Sequence, residues 1–224
     1  MGIQEQFAAE AIPVLDDALA LASARPRSLY PALKRMLDLA ASVALLIAVL
    51  PLLLAIAFWI RLDSGGPVFF RQTRLGKDGR PFRILKFRTM TVLEDGDCVV
   101  QAARGDARIT RAGRFLRASS LDELPQLLNV IRGEMSLVGP RPHAEAHDRH
   151  YGALIAGYDR RQSVKPGITG WAQIKGCRGG TPTLDLMRQR VEHDLWYARH
   201  ASLRLDLRIL AQTPFALLFG RNAY

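Results

Sequence analysis

The chain has 224 residues, which is enough for one compact domain and an accessory element. Its 31 Lys and Arg outnumber 21 Asp and Glu, and the net charge of +10 favours an anionic partner: a phosphate-rich ligand, acidic lipid or nucleic acid. Two cysteines give neither a disulfide framework nor metal-ligand spacing, which fits a reducing compartment. The first apolar run begins only near Leu37, so we expect no secretory signal peptide.

The first strong element in chain order is an uncharged apolar run. The 22 residues at 39–60 carry no formal charge, and as a helix they would extend about 33 Å, enough to cross a bilayer core. This pattern predicts a membrane helix. The alternative is a buried core helix of a soluble domain, in which an uncharged run of this length is uncommon.

Two features of this run favour a helix that enters and leaves the membrane on the same side. Pro51 lies in the middle, where it removes a helix hydrogen bond and bends the chain. Both flanks are basic, and the positive-inside tendency places both ends on the cytoplasmic face. We therefore predict a re-entrant helix over residues 34–62, with Ser42 as a partner for carbonyls that the bend frees. The expected interfacial anchors are Lys34, Arg35 and Asp38.

A β-hairpin is expected after the apolar run. The strand-like residues 68–70 precede a turn at 77–80, and residues 82–88 alternate loosely as a return strand. This strand would present Lys86 and Arg88 on one face. Such cations are either solvated surface groups or ligands for an anion, and the strand alone does not decide between them.

Two adjacent carboxylates, Asp122 and Glu123, lie in a basic and apolar segment. Leucines recur around them at roughly helical spacing, so residues 108–128 are predicted to be mostly helical. Neighbouring carboxylates repel unless cations surround them, and arginines such as Arg117 supply that charge. The pair therefore suits a nucleophile or a metal ligand for a phosphorylated substrate. The alternative is a capping box, in which a preceding serine caps a helix and Glu123 lies in its first turn.

Two stiff loops rich in Gly and Pro follow the carboxylate pair. Residues 133–142 read as a turn, a short apolar piece and a rigid loop that holds Arg141 between two prolines, which suits a phosphate clamp. Residues 165–171 begin with Lys165 and form a second loop, of the kind that aims backbone N–H groups at an anion.

Three histidines share one face of a predicted helix. His143, His147 and His150 fall at i, i+4 and i+7, a spacing that a metal site can use. Because no Cys or HExxH pattern accompanies them, we interpret them as polar surface positions.

The C-terminal residues 201–224 mix apolar residues with Arg204 and Arg208 before they reach Pro214. This mixture is typical of an amphipathic segment that lies in the membrane interface. An ordinary helix packed on the core is the alternative.

Taken together, these motifs resemble the bacterial sugar transferase family, the monotopic polyprenol-phosphate phosphoglycosyl transferases. The resemblance runs from about residue 34 to the end of the chain and leaves residues 1–33 outside it. Each motif alone is weak, whereas this many in order are specific. The matching segments are KRMLD (34–38), GPVFFRQ (66–72), KFRTM (86–90), DARIT (106–110), SLDELPQ (120–126), SLVGPRP (136–142) and KPGITGWAQ (165–173).

The resemblance implies that a sugar phosphate moves from a UDP-sugar to undecaprenyl phosphate, with Mg²⁺. It makes Asp122 the nucleophile that expels UMP and holds a covalent phospho-sugar, and it gives Mg²⁺ to Asp122 and Glu123. The branch that residues 176–183 resemble uses a hexose, especially glucose. Galactose and N-acetylated sugars stay open, because Cys177 and Gly180 depart from the pattern of that branch. The expected substrate-binding residues are Lys86, Arg88, Arg117, Arg141 and Lys165.

The expected fold class is mixed α/β and mostly helical: a re-entrant membrane helix, a compact cytosolic domain with a small β-hairpin, and interfacial amphipathic helices. The expected parts are an N-terminal extension (1–33), the membrane helix (34–62), the catalytic domain (63–200) and the C-terminal segment (201–224). The resemblance places the chain on the cytoplasmic face of the bacterial inner membrane, as a monotopic protein in contact with membrane lipids.

The partners and the wider role follow from the same resemblance. It implies the first membrane step of exopolysaccharide or other glycoconjugate assembly, and it leaves a homodimer open. Nucleic acid is not expected as a partner, because a nucleic-acid binder would more typically be marked by basic stretches with interleaved aromatic residues than by an Asp-Glu pair. The rival interpretation is a non-catalytic basic protein tethered to the membrane.

Overall fold

The computed structural model describes residues 29–91 and 105–219, with side chains to residue 217. The chain divides into two compact units after residue 33. The elements confirm a mixed, mostly helical α/β protein. The helices are α1 (Tyr30–Asp63), α2 (Arg111–Ser119), α3 (Leu127–Arg132), α4 (Glu145–Leu154), α5 (Trp171–Ile174), α6 (Leu184–His200) and α7 (Leu203–Phe219). The strands are β1 (Phe69–Leu75), β2 (Pro81–Phe87), β3 (Ser136–Val138) and β4 (Gly167–Thr169). Short 3₁₀ segments lie at Lys77–Gly79, Leu121–Gln126 and Tyr158–Ser163.

Helix α1 runs for 34 residues. Its centre is rich in Leu and Ala, which are good helix formers. Within residues 29–91 and 105–219 it is the one helix long and apolar enough to cross a membrane, by length and composition. Of its most apolar 18-residue window, 11% is buried in the protein. The helix continues through Pro51 without a break, so the re-entrant path stays a prediction.

Charged residues in the first turns of α1 form an ion pair and hydrogen bonds with the rest of the protein. Lys34 pairs with Asp206 of α7 at 2.8 Å. Arg35 donates to two backbone carbonyls of α3, at 2.7 and 2.8 Å. Asp38 is 3% exposed and accepts from the backbone N–H of Leu137 at 3.0 Å. Predicted as interfacial anchors, these three residues of α1 bind protein groups in the structure.

The last turns of α1 pack on another part of the same body. Ile56 and Ile60 are buried with Phe87 of β2 and Leu116 of α2 in a small apolar core. Between the two ends of the helix, most apolar side chains are exposed. Ser42 is buried, but its hydroxyl has no hydrogen-bond partner within the described residues. The sequence analysis expected Ser42 to bind a carbonyl freed by the bend, and among the residues that it describes the structure shows no such bond.

Strands β1 and β2 form the predicted hairpin. They pair antiparallel over their full lengths. The turn is tight because Asp78 and Gly79 adopt φ of 57° and 71°, a left-handed conformation that Asp and Gly tolerate better than most residues. Lys86 lies on β2 and lines a cavity, whereas Arg88 follows the strand and does not.

Strands β3 and β4 form a short parallel pair. The backbones approach closely here: a Cβ on Gly139 would lie 2.2 Å from the carbonyl oxygen of Lys165. Only glycine fits at such a distance. The sequence analysis treated residues 165–171 as a loop, and this was correct only for the ends of the segment, because β4 occupies its middle.

The segment with the two carboxylates is mostly helical, as predicted, but it is divided into an α-helix, a 3₁₀ turn and a second α-helix. Helix α2 begins after Thr110, whose hydroxyl accepts from the N–H of Gly113 at 2.9 Å, and it ends before Ser120, which has φ 57°. The next turn is the 3₁₀ segment Leu121–Gln126, which contains Pro125. Ser120 makes no side-chain cap bond, so the capping-box alternative is wrong.

Helix α7 packs on the core with one face and exposes apolar side chains on another. Asp206 and Ile209 are fully buried, while Leu207 and Phe215 are 49% and 65% exposed. The core-packing alternative for residues 201–224 is therefore confirmed as far as the segment is described, whereas its place in the membrane interface stays a prediction. The main core contains Phe82, Ile84, Leu127, Val130, Met135, Leu137, Val138, Tyr197 and Ile209.

Candidate active site

A cavity of about 530 Å³ lies beside the hairpin. Its charged lining comes from β1, β2, the end of α2, the 3₁₀ turn and the loop after β3, and it includes the carboxylate pair. Its apolar lining includes Leu45 of α1 and Leu210 and Leu217 of α7. The cavity thus combines charged groups with the two helices that expose apolar side chains, which suits a ligand with an anionic group and an apolar chain.

Glu123 is held by two cations in this cavity. Its Oε1 accepts from Lys86 Nζ at 2.7 Å and also from Arg141, whose guanidinium reaches Oε2 at 3.0 Å. Burial raises the pKa of Glu123, but Arg141 and Lys86 together hold it well below its usual range. Glu123 is therefore a permanent anion that fixes both cations in place.

Asp122 has the opposite environment. It is 8% exposed, and no hydrogen bond reaches its carboxylate from the described residues. Burial raises the pKa of Asp122 to about 6; Lys86 opposes this rise and the charge of Glu123 adds to it. At neutral pH the group is mostly ionised, yet no direct ion pair stabilises it. Such a carboxylate is suited to nucleophilic attack.

The cavity brings together three of the five predicted substrate-binding residues, Lys86, Arg117 and Arg141. Arg88 lies elsewhere, because its guanidinium donates to the carbonyl and hydroxyl of Ser64 at 2.7 and 3.1 Å, where α1 ends. Lys165 also lies outside the lining; burial and the neighbouring charge of Arg35 lower its pKa. The roles of Arg88 and Lys165 in substrate binding therefore stay predictions without support from the geometry.

A sequence model of the family described as bacterial sugar transferase matches residues 29–220. That range covers most of the chain and contains both the carboxylate pair and the cations around it. The chain belongs to the bacterial sugar transferase family.

Two of the similar proteins carry the name of the same reaction, and a third is named for exopolysaccharide production. A UDP-glucose:undecaprenyl-phosphate glucose-1-phosphate transferase of Caulobacter vibrioides is 55% identical over 89% of this chain and 74% of its own length. A protein of the same name from Escherichia coli (strain K12) is 51% identical over 86% of this chain and 41% of its own. Exopolysaccharide production protein PSS of Rhizobium leguminosarum is 45% identical over 81% of this chain and 92% of its own length. The chain thus spans about two-fifths of the E. coli relative and nearly all of the Rhizobium one.

The cavity has further cations that the sequence analysis did not assign to substrate binding. Arg178 donates to the hydroxyl of Ser120, which directly precedes the 3₁₀ turn. Arg190 of α6 donates to the carbonyl of Gly179 at 2.7 Å, and Arg74 of β1 also lines the cavity. These arginines come from distant segments, so no local spacing marks them as a group.

The three histidines of the sequence analysis separate in the structure. His143 precedes α4 and is 6% exposed, so its interpretation as a surface position was wrong. His147 lines the cavity, and His150 is exposed as expected. In the part of the chain that the structure describes, no three His, Cys, Asp or Glu side chains cluster as a metal-binding group.

The carboxylate pair nevertheless offers oxygen ligands of the kind that Mg²⁺ takes. This ion prefers oxygen ligands and is commonly held by one or two carboxylates together with substrate phosphates and water. Asp122 offers a carboxylate that accepts no hydrogen bond from the described residues. Oε2 of Glu123 accepts from Arg141 and keeps a second lone pair.

Proposed function

We propose that this chain transfers a sugar 1-phosphate from a UDP-sugar to undecaprenyl phosphate and releases UMP. The observation that carries the proposal is the carboxylate pair. Asp122 is buried, ionised and free of hydrogen bonds from the described residues, next to a Glu123 that Lys86 and Arg141 hold. Relatives named for this reaction, at 51% and 55% identity, support it.

The transfer takes two displacements at phosphorus. First, an Asp122 oxygen attacks the phosphorus that bears the sugar, and the bond to the UMP oxygen breaks, which leaves an aspartyl phospho-sugar. Then an oxygen of the lipid phosphate attacks the same phosphorus, and the bond to Asp122 breaks and restores the carboxylate. Neither nucleophile needs a general base, because both are anions at neutral pH.

The cations of the cavity stabilise the charge that these displacements develop. Lys86 and Arg141 are fixed beside the pair by Glu123, so they need not reorganise as charge grows on the leaving UMP oxygen. Asp122 and Glu123 would hold Mg²⁺, which neutralises diphosphate charge when it is bound.

The acceptor accounts for the apolar helices around the site. A polyprenyl phosphate keeps its phosphate at the membrane surface, and an enzyme that uses it need not span the bilayer. We place α1 as a re-entrant helix on the cytoplasmic face of the inner membrane. Support comes from the packing of both its ends on one protein body: a straight span would place those ends on opposite sides of the bilayer.

Glucose is the sugar that we propose, because the Caulobacter and E. coli relatives are named for UDP-glucose. A first step in exopolysaccharide assembly is the matching role, and the name of the Rhizobium relative supports it. Galactose and N-acetylated sugars are the alternatives that an assay must separate. A homodimer stays a prediction.

The direct test is UMP release from the purified full chain with undecaprenyl phosphate and Mg²⁺. A panel of UDP-glucose, UDP-galactose and the two UDP-N-acetylhexosamines covers the alternatives. We expect release with UDP-glucose and loss of release in Asp122→Asn, since an amide cannot form an acyl phosphate. Asp78→Asn is the matched control, because Asp78 is an exposed turn residue with a φ of 57° that Asn also adopts.

The rival is a basic membrane-tethered protein without catalysis. It predicts no UMP release with any member of the panel, together with RNA binding that weakens steeply as salt rises. That combination of results would contradict the proposed function.

A further inference from the structure

His143 is a buried residue of the cavity wall for which the reaction above has no role. It lies between Arg141 and α4 and is 6% exposed. Its Nε2 is buried and has no hydrogen-bond partner in the described part of the chain. An unpartnered polar atom in a site built to hold a ligand is expected to meet a ligand atom, because leaving it unpaired is unfavourable.

The other ring nitrogen of His143 is held by a fixed donor. Nη1 of Arg161 lies 3.0 Å from Nδ1, and Asp194 holds the same guanidinium at 2.8 and 3.1 Å. A guanidinium donates and cannot accept. Nδ1 must therefore accept, since a proton there would face the Arg161 N–H. The neighbouring Tyr158 hydroxyl contacts both Nδ1 and Asp148 and can direct its single hydrogen to either.

The proton of the neutral ring then lies on Nε2, which makes that atom an unused donor of a residue that lines the cavity. Burial, together with the charges of Arg161 and Arg190, holds the pKa of His143 well below its usual range, so the ring stays neutral. Arg74 and Arg141 add positive charge around it. A donor among cations is arranged for an anionic oxygen rather than for a cation or a hydroxyl hydrogen.

We propose that the Nε2–H of His143 donates a hydrogen bond to a diphosphate oxygen of the UDP-sugar, on the side of the cavity that Arg141 and Arg190 line. Arg161, Tyr158 and Asp194 are positioning residues that fix the ring and its tautomer. This inference rests on the proposed function, since it assigns one contact of the same substrate. It gives the chain a donor-substrate contact separate from the carboxylate pair.

Two substitutions of one residue separate the contact from the internal network. Asn at position 143 keeps an oxygen acceptor near the place of Nδ1 for Arg161 but has no donor that reaches the place of Nε2. Gln at position 143 reaches that place with an N–H₂ donor. His150→Asn is the matched control, because His150 is exposed on the outer part of α4.

The measurement is calorimetric titration of the full chain in detergent with UDP, which carries the diphosphate without a sugar, and with uridine. We expect His143→Asn to weaken UDP binding roughly tenfold or more and to leave uridine binding unchanged, as for a lost hydrogen bond to a charged group. His143→Gln should stay within about threefold of wild type, and the KM for undecaprenyl phosphate should not change in either variant. Thermal unfolding of each variant shows that the fold is retained.

Equal UDP affinity in His143→Asn and wild type would overturn the inference. A loss of affinity for UDP-glucose with unchanged affinity for UDP would overturn it too, because the contact would then be with the sugar. A wild-type chain that binds neither UDP nor UDP-sugars, and that releases no UMP, would overturn the proposed function itself, and the inference would fall with it.

Discussion

Asp122 and Glu123 are neighbours in the chain, yet the structure drives their ionisation in opposite directions. Glu123 receives two cations and stays charged, whereas Asp122 is buried and meets its cations only at longer range. The two carboxylates therefore need not share a proton to relieve their mutual repulsion. Glu123 positions the cations, and Asp122 is the group available for reaction. The 3₁₀ turn produces this division, because it points the two adjacent side chains into different surroundings.

Because burial raises the pKa of Asp122, we expect a substitution that removes the carboxylate charge to stabilise the fold. The folded-state pKa of about 6 lies above 3.8, the ordinary pKa of an Asp carboxyl, so the ionised group opposes folding above pH 6, and this effect disappears below pH 4. We expect metal-free Asp122→Asn to exceed wild type in unfolding free energy by about 3 kcal/mol at pH 8 and by nothing at pH 3.5. Denaturant unfolding across this pH range measures the difference. Asp122→Asn that is less stable than wild type at pH 8 would contradict the assignment.

The sequence identifies some of these residues and not others, for a physical reason. Asp122, Glu123 and Arg141 lie in short motifs whose chemistry is visible locally. Arg190 reaches the cavity only through tertiary packing, so no spacing in the sequence links it to the pair. His143 directly follows the motif that contains Arg141, but its burial against Arg161 is a tertiary contact that the sequence does not show. The motifs also predicted that Arg88 and Lys165 bind substrate. In the fold Arg88 binds Ser64 and Lys165 lies near Arg35, and both are tertiary contacts that the motifs do not show.

At the scale of elements, local patterns predict existence and type better than boundaries. The hairpin and α1 are where hydrophobic patterning places them. The break between α2 and α3 was missed, because leucine spacing continues across a left-handed Ser120 and a 3₁₀ turn. The β4 strand was missed because its pairing with β3 is a long-range contact of only three residues.

The attachment of α1 to α7 makes an element-scale prediction. Lys34 pairs with a fully buried Asp206, which Tyr197 also contacts at 2.6 Å. Lys34→Met should lower the unfolding free energy by about 3 kcal/mol or more, since it leaves a buried charge without its cation. The double variant Lys34→Met/Asp206→Asn should recover most of this loss. Lys77→Met, at an exposed position, is the matched control.

The result that would contradict this reading is additivity. If the double variant loses the sum of the two single losses in chemical denaturation, the Lys34–Asp206 pair contributes no coupling energy to the attachment of α1.

For the whole molecule, the question is how one helix with a largely exposed apolar middle is attached at both ends to the protein body. Charged side chains hold the start of α1 on β3, α3 and α7, and apolar ones hold its end on β2 and α2. The exposed middle carries the apolar surface. The sequence predicts the apolar run and its basic flanks, but the residues of the body that receive the two ends are found only in the fold.

A re-entrant helix predicts that both ends are accessible from one side of the membrane. Leu29→Cys and Gly65→Cys are suitable probes, because Leu29 is 74% exposed and a Cβ at Gly65 meets nothing within 4 Å. In inside-out and right-side-out vesicles, a membrane-impermeant maleimide should label both cysteines only from the cytoplasmic side. Labelling of the two positions from opposite sides would show a full span. Pro51→Leu should increase that opposite-sided labelling, since leucine restores the backbone hydrogen bond that a proline inside a helix removes and so favours a straight span.

The measurement that tests the central claim most directly is mass spectrometry of the enzyme after incubation with UDP-glucose and Mg²⁺ in the absence of lipid. The account predicts a hexose-phosphate adduct on the peptide that contains Asp122, which disappears when undecaprenyl phosphate is added and does not form in Asp122→Asn. An adduct on another residue, or full turnover by Asp122→Asn, would contradict it.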